Sequence, residues 1–454
     1  MIKLKATSLD LFRYTLKQGL GIPANQTEKH YQQFLNNIID QLPTSITCQR
    51  PQENRQKFLN IAIDRAILPF AGTIANHQIE GQYRRYIEKD NYQLYFTGYD
   101  NTTSESYGNE QIISLINQLK NLIPPPPAQL YHLGQTWLLS GCLTSDYTNA
   151  EITEFIQSIS QNILLKTTDN PIPEPLTGQY AGSSILQYWG NTKDNQHLFI
   201  ILFSNTDDTI YLSDQHQYIK LWLDILCYRH KIIWAHQNSE KLRTQLVNYY
   251  NDITAMQSLS GLNLQKLKEA MEKLSKFVIA LNYLEMQAST IRVNAEKYIN
   301  KLSEMSAQIP HSNLSFLNDF ENQINLYQKE IKKDLENFRP CLEVLRSLTE
   351  TIRGTVEIRK AESDRQFQTI IGIGGLGVGV ASVVASAVAG QIQEIQSEET
   401  LNKIIVTMPF PPSWSNLQYI LGISLISGIF SSLFAYIIVK LFTFYQSKKF
   451  KNIK

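Results

Sequence analysis

The stretch IGIGGLGVGVASVVASAVAG, residues 371–390, decides what kind of protein this is. Gly372, Gly374 and Gly377 spell Gly-x-Gly-x-x-Gly, the fingerprint of a dinucleotide-binding turn. Such a turn must follow a strand and open a helix inside a βαβ unit, with an acidic ribose partner about twenty residues on. Glu394 falls at that distance, yet it lies past an unbroken apolar run that leaves no room for the second strand and its turn. The residues before the glycines, RKAESDRQFQ, read as a charged helix. The stretch is therefore read as part of a membrane helix.

Length and charge agree with that reading. No charged residue lies between Arg365 and Glu394, and a helical run of that length exceeds the roughly 30 Å hydrocarbon layer. A second uncharged stretch, YILGISLISGIFSSLFAYIIV at 419–439, is followed by Lys440 and by Phe442, Phe444 and Tyr445, which suit an interfacial aromatic belt. Basic residues stand on two sides: Arg353, Arg359, Lys360 and Arg365 before the first stretch, and Lys448, Lys449, Lys451 and Lys454 after the second. The loop between them holds only Lys403. The positive-inside rule then expects both termini in the cytoplasm of a multi-pass protein of the inner (plasma) membrane.

Neither stretch contains Asp, Glu, Lys, Arg or His, which argues against a buried charge relay. In the first, Gly375, Gly379, Ser382, Ser386 and Gly390 share one helical face; in the second, Ser424, Gly428, Ser431 and Ala435 do. Small residues let helices approach closely in lipid, so these faces serve helix packing or line a narrow polar pore. The first face continues outward to Gln393, with Glu394 adjacent, as a pore mouth.

The rest of the chain sets the fold class. Of 454 residues, 43% are hydrophobic, which supports a sizeable core, and 42 basic residues nearly balance 41 acidic ones. That balance gives no global attraction to nucleic acid, and no direct nucleic-acid binding is expected. Four separated cysteines carry neither a disulfide framework nor a zinc pair. Residues 1–212 mix amphipathic helices with aromatic strands, as an α+β or α/β cytosolic domain. Ser8 is expected to N-cap a helix in LDLFRYTLKQ, and EKHYQQFLNNIIDQL and EQIISLINQLKNLI have helical spacing, the latter stopped by Pro124–Pro127. GQYRRYIEKDNYQLYFTGY reads as a β-hairpin, and HLFIILFS as a buried central strand.

Residues 213–365 read as long coiled-coil-like helices. One stripe runs Leu264, Leu267, Met271, Leu274, Val278, Leu281 and, after a skip, Leu284 through Met305; Pro310 ends it. A second runs from Leu317 to Val356, with Pro340 inside it as an expected kink. These stripes pack on each other as a hairpin or pair between subunits. The C-terminal part divides into spans at 366–393 and 419–443, an exterior loop at 394–418 and a basic tail at 444–454.

Nucleophile and metal constellations are absent as motifs: no HExxH, no Cys/His zinc pattern, and His230 and His236 lie on different faces of a helix. Tyr83-Arg84-Arg85-Tyr86 is expected on a solvated hairpin, and Asp207-Asp208 at a turn. No catalytic residues and no cofactor are assigned.

Taken together, the mixed cytosolic domain, long helices, two C-terminal spans, a loop with Met408-Pro409 and a lysine-rich tail resemble the layout of CorA-like divalent-cation transporters. That resemblance implies a homo-oligomer, a pentamer in that family, with the first span lining a pore and a divalent cation as ligand or cargo. The family's Gly-Met-Asn is replaced by Ala389-Gly390-Gln391, and the external loop is longer, so magnesium selectivity is not implied. ETIRGTVEIRKAESDRQFQTII is similar to pre-membrane segments of divergent CorA-like effectors beside type III CRISPR systems, which implies gating by a nucleotide signal. The other reading is a membrane-anchored receptor or scaffold that assembles through its helices without conducting ions.

Overall fold

The structure, a computed structural model, describes residues 2–17, 24–48, 51–75, 77–101, 106–125, 132–163, 175–189, 195–204, 215–257, 264–309 and 311–360. The chain divides into two compact units, Met1–Ser239 with Gln287–Lys332, and Glu240–Met286 with the residues from Lys333 onward.

The first unit is built on a nine-stranded mixed sheet. Its strands are β1 (Leu4–Leu16), β2 (Ile46–Cys48), β3 (Arg65–Ile74), β4 (His77–Ile87), β5 (Asn91–Asp100), β6 (His132–Leu143), β7 (Leu176–Tyr180), β8 (Ser183–Trp189) and β9 (Gln196–Phe203), in the order β2-β3-β4-β5-β1-β6-β9-β8-β7. Neighbours pair antiparallel except β6 and β9, which run parallel. The expected hairpin is β4 and β5, joined through Glu88, Lys89 and Asp90, with Ile87 opposite Tyr92.

Four helices cover one face: α1 (Ala24–Asp40), α2 (Pro51–Leu59), α3 (Asn109–Asn121) and α4 (Asn149–Ile163). Their apolar sides, with Leu35 and Ile38, Phe58, Leu115 and Leu119, and Phe155 and Ile159, form one core with Leu9, Leu11, Phe96, Leu139 and Ile200 from the strands. Thr148 and Glu151 close a capping box at the start of α4, where the Glu151 carboxylate accepts from the Thr148 N–H at 3.0 Å. The α3 helix ends just before the prolines, as expected, and the Pro124 carbonyl then accepts from Arg13 Nη1 at 2.7 Å.

The expected helix at LDLFRYTLKQ is a strand, and Ser8 is no N-cap. Its Oγ lies 2.7 Å from Ser140 Oγ on β6. The reason is position: β1 is an inner strand with β5 on one side and β6 on the other, and both its faces are covered. Leu9 and Leu11 serve the four-helix core, while Phe12 and Tyr14 face the opposite side. A strand buried on both faces loses the apolar-polar alternation that would betray it.

Three long helices follow: α5 (Gln215–Gln257), α6 (Leu264–Gln308) and α7 (Asp319–Lys360), of 43, 45 and 42 residues. Within the first unit, the start of α5 covers the second face of the sheet. Tyr14 Oη donates to the Leu223 carbonyl at 2.9 Å, and Trp222 packs on Phe199 with ring centroids 5.2 Å apart. The end of α6 and start of α7 join there through Tyr298 against Phe320 at 5.3 Å.

In the second unit, Met256, Leu267, Ala270, Ile352 and Val356 make a core cluster, and Phe277 meets Phe338 edge-on at 6.3 Å. Both sequence stripes thus run on helices as expected. Most of their positions are buried, including Leu274, Leu284, Ile291 and Leu302 on α6 and Ile324, Ile331 and Leu345 on α7. The α7 helix continues through Pro340 without a break. No helix among the described residues is long and apolar enough to cross a membrane, and residues 366–393 and 419–443 lie outside those residues.

Candidate functional site

Every site residue expected from sequence lies outside the described residues: Gly375, Gly379, Ser382, Ser386, Gly390, Gln393, Glu394, Ser424, Gly428, Ser431 and Ala435. So does Asp207-Asp208. Arg85, expected on a solvated hairpin, is instead fully buried. Its Nε donates to the Phe58 carbonyl at 3.0 Å and its Nη2 to the Asn60 carbonyl at 2.9 Å, closing the end of α2.

What the structure brings together is a polar seam buried between the sheet and α5. His230, 0% exposed on α5, sits over β6 and the start of β9. Asn195 fixes its tautomer. The Asn195 amide nitrogen donates to two carbonyls, Leu133 at 2.5 Å and His230 at 3.1 Å, so its Oδ1 is the acceptor that faces His230 Nδ1 at 2.9 Å. His230 Nδ1 therefore carries the proton, and neutral Nε2 accepts from the Thr136 hydroxyl at 2.8 Å. The Thr136 oxygen in turn faces His197 Nδ1 at 3.4 Å. Burial, then the nearby Arg229 guanidinium, hold His197 and His230 well below the usual histidine range. The seam is thus a chain of neutral groups running His197, Thr136, His230, Asn195.

Arg229 stays charged beside it. Its guanidinium carbon lies 4.1 Å from the centre of the Phe320 ring, and burial lowers it only to about 10. Gly134, at φ +152°, is what lets the seam close: a Cβ there would land on the His230 ring and 2.8 Å from Asn195 Nδ2.

Toward β5, the second polar feature is Asp10, 1% exposed on β1. Tyr95 Oη donates to its Oδ1 at 2.9 Å. Burial pushes the carboxyl up to about 6, with the hydroxyls of Thr97 and Tyr95 pulling the other way. Asp10 borders a cavity of about 10 Å³ walled by Phe12, Tyr95, Tyr180 and Trp222.

Neither feature was singled out from sequence. His230 was placed correctly on a face apart from His236, which instead stacks on Tyr327 at 3.8 Å and meets Glu330 at 2.9 Å. The signal for Asp10 was a lone carboxylate inside LDLFRYTL, a costly residue in an apolar run. As chemistry, the seam holds protons in fixed positions, and no group of three His, Cys, Asp or Glu residues among the described residues is placed to hold a metal. No family model, curated protein or solved structure matches this chain.

Proposed function

We propose that the chain is an oligomeric two-span membrane protein, a CorA-like channel or ligand-gated membrane effector, whose cytosolic sheet unit senses a signal and passes it along the helices to the spans. The observation that carries this reading is the pair of uncharged stretches at 366–393 and 419–439, flanked by basic residues on the side expected to be cytoplasmic. Two features support it. Helices α5 to α7 reach roughly 65 Å each at 1.5 Å per residue, and α7 runs to Lys360, a few residues before the first stretch. Most stripe residues of α6 and α7 are buried within the chain, so a scaffold that assembles by pairing those stripes between copies would first have to expose them.

The tests are extraction and flux. Alkaline carbonate should leave the full chain with the membrane fraction. Purified chain in liposomes should conduct ions when a divalent cation or a nucleotide signal is added. Replacing Ser382 and Ser386 by Leu should abolish that flux if the first-span face lines the path. Unchanged flux in that variant removes the pore assignment, and absence of flux under every condition returns the protein to the scaffold reading.

A further inference from the structure

Asp10 presents a buried carboxylate inside the first unit. Its Oδ1 is held by Tyr95 and the Thr97 hydroxyl also acts on the carboxyl, whereas its buried Oδ2 has no hydrogen-bond partner among the described residues. Desolvating an ionised oxygen without a partner is costly, and stable interiors pair such groups. The cavity that Asp10 borders has room for one water-sized particle. Its other lining residues with polar atoms are Tyr95, Tyr180 and Trp222, and Trp222 Nε1 donates to Tyr180 Oη at 3.5 Å. The remaining surface is aromatic and aliphatic: Phe12, the rings of Tyr95 and Tyr180, Trp222, and side chains such as Ile201.

One carboxylate oxygen among aromatic faces suits a cation, because the ring quadrupoles present negative faces. Alkali and alkaline-earth ions need several oxygen ligands to replace their hydration shell; this cavity offers Asp10 and two phenols. A cation that supplies its own N–H donors needs fewer. We propose that this cavity is a binding site for an ammonium-sized cation, which donates to Asp10 Oδ2 and rests against the surrounding rings. The carboxyl group, at about 6, is mostly ionised at neutral pH and available to such a cation. The site lies wholly within the first unit and stands whether or not the chain conducts ions.

The experiment is thermal unfolding of the full-length chain, followed by tryptophan fluorescence at neutral pH. Ammonium, potassium and tetramethylammonium chlorides are compared at matched ionic strength. Ammonium should raise Tm with concentration, by mass action on the folded state, and tetramethylammonium, too large for the cavity, should not. Asp10→Asn should weaken the apparent affinity at least about tenfold, as expected for loss of a charge-assisted contact. Tyr180→Phe, which keeps the ring and the packing, should reduce the ammonium shift and serves if Asp10→Asn fails to fold. Equal Tm in ammonium and tetramethylammonium overturns the proposal, as does an ammonium shift that Asp10→Asn leaves intact. A potassium shift as large as that of ammonium overturns the assignment to a hydrogen-bond-donating cation.

Discussion

The same substitution, glycine to alanine, should act with opposite sign at two places in this chain. At Gly134 the new methyl would fall on His230 and crowd Asn195, at a φ of +152° that side chains rarely adopt. Overpacking of this kind costs about 1–3 kcal/mol. Pushing His230 off Asn195 and Thr136 leaves buried donors and acceptors unpaired, at about 1–3 kcal/mol each. Gly134→Ala should therefore destabilise the first unit by on the order of 3–6 kcal/mol, a large share of the usual stability of a domain. At Gly354, inside α7, a Cβ would meet nothing within 4 Å. Gly354→Ala should stabilise the second unit by about 0.5–1 kcal/mol through the chain entropy that glycine loses in a helix. The assay separates the two units, because four of the five tryptophans, Trp137, Trp189, Trp222 and Trp234, belong to the first. Urea unfolding by tryptophan fluorescence should show the Gly134→Ala loss, and far-ultraviolet circular dichroism the Gly354→Ala gain. A Gly134→Ala transition within about 0.5 kcal/mol of wild type would refute the claim that the seam is closely packed against that backbone.

Three further outcomes follow from named groups. The seam histidines have folded pKa values below their unfolded 6.5, so the unfolded chain binds more protons and they lower stability as pH falls below 6.5. Asp10, raised to about 6 from 3.8, binds its proton first in the folded state and raises stability as pH falls through 6. Between about pH 6 and 4 three histidines, His197, His230 and also His132, which burial lowers to about 3, stand against one carboxyl and leave a net slope of about two protons, or about 2.7 kcal/mol per pH unit. Asp10→Asn should raise that slope by about half in urea titrations, and an unchanged slope would count against a buried Asp10 carboxyl that takes up its proton early. Arg85→Met should cost about 1–3 kcal/mol, because it strips the Arg85 donor from the Phe58 carbonyl while the Asn60 carbonyl keeps the Ile63 N–H at 3.0 Å, and hydrogen exchange should quicken first in α2; lysine should not rescue it, lacking the fork that reaches both. Pro340→Ala, at an exposed position within α7, should raise the stability of the second unit by up to about 3 kcal/mol, read from helix melting by circular dichroism.

How far the sequence could be read depended on how local each signal was. The β4–β5 hairpin was legible because two aromatic runs flank a polar turn, and the stripes of α6 and α7 because their period repeats over more than forty residues. The β1 strand was not, because the property that decides it is nonlocal. Leu9, Leu11, Phe12 and Tyr14 fall at spacings a helix would also produce, and only the pairing of Leu11 with Phe96 on β5 and Trp137 on β6 makes the segment extended.

The polar seam was hidden for the same reason, carried further. Thr136, Asn195, His197 and His230 come from β6, the turn before β9, β9 itself and α5, and no spacing along the chain links them. Thr136 or His197, seen alone, is an ordinary strand residue. Their meaning depends on β6 and β9 being neighbours, which places Thr136 beside His197 in register, and on α5 lying over that pair so that His230 comes down between them. Once those three elements are placed, the proton positions follow with no freedom left, because the Asn195 amide must spend its two donors on Leu133 and His230 carbonyls. A mutation that leaves every residue of the seam in place but shifts α5 by a fraction of a turn should therefore be as damaging as deleting one of them. Leu223, whose carbonyl accepts the Tyr14 hydroxyl, is where such a shift would register first. Tyr14→Phe removes that tie but keeps the ring, whose centroid lies 5.5 Å from that of His230, and should broaden or move the His230 imidazole resonances in nuclear magnetic resonance spectra. Resonances unchanged by Tyr14→Phe would mean that the seam holds the helix, and not the helix the seam.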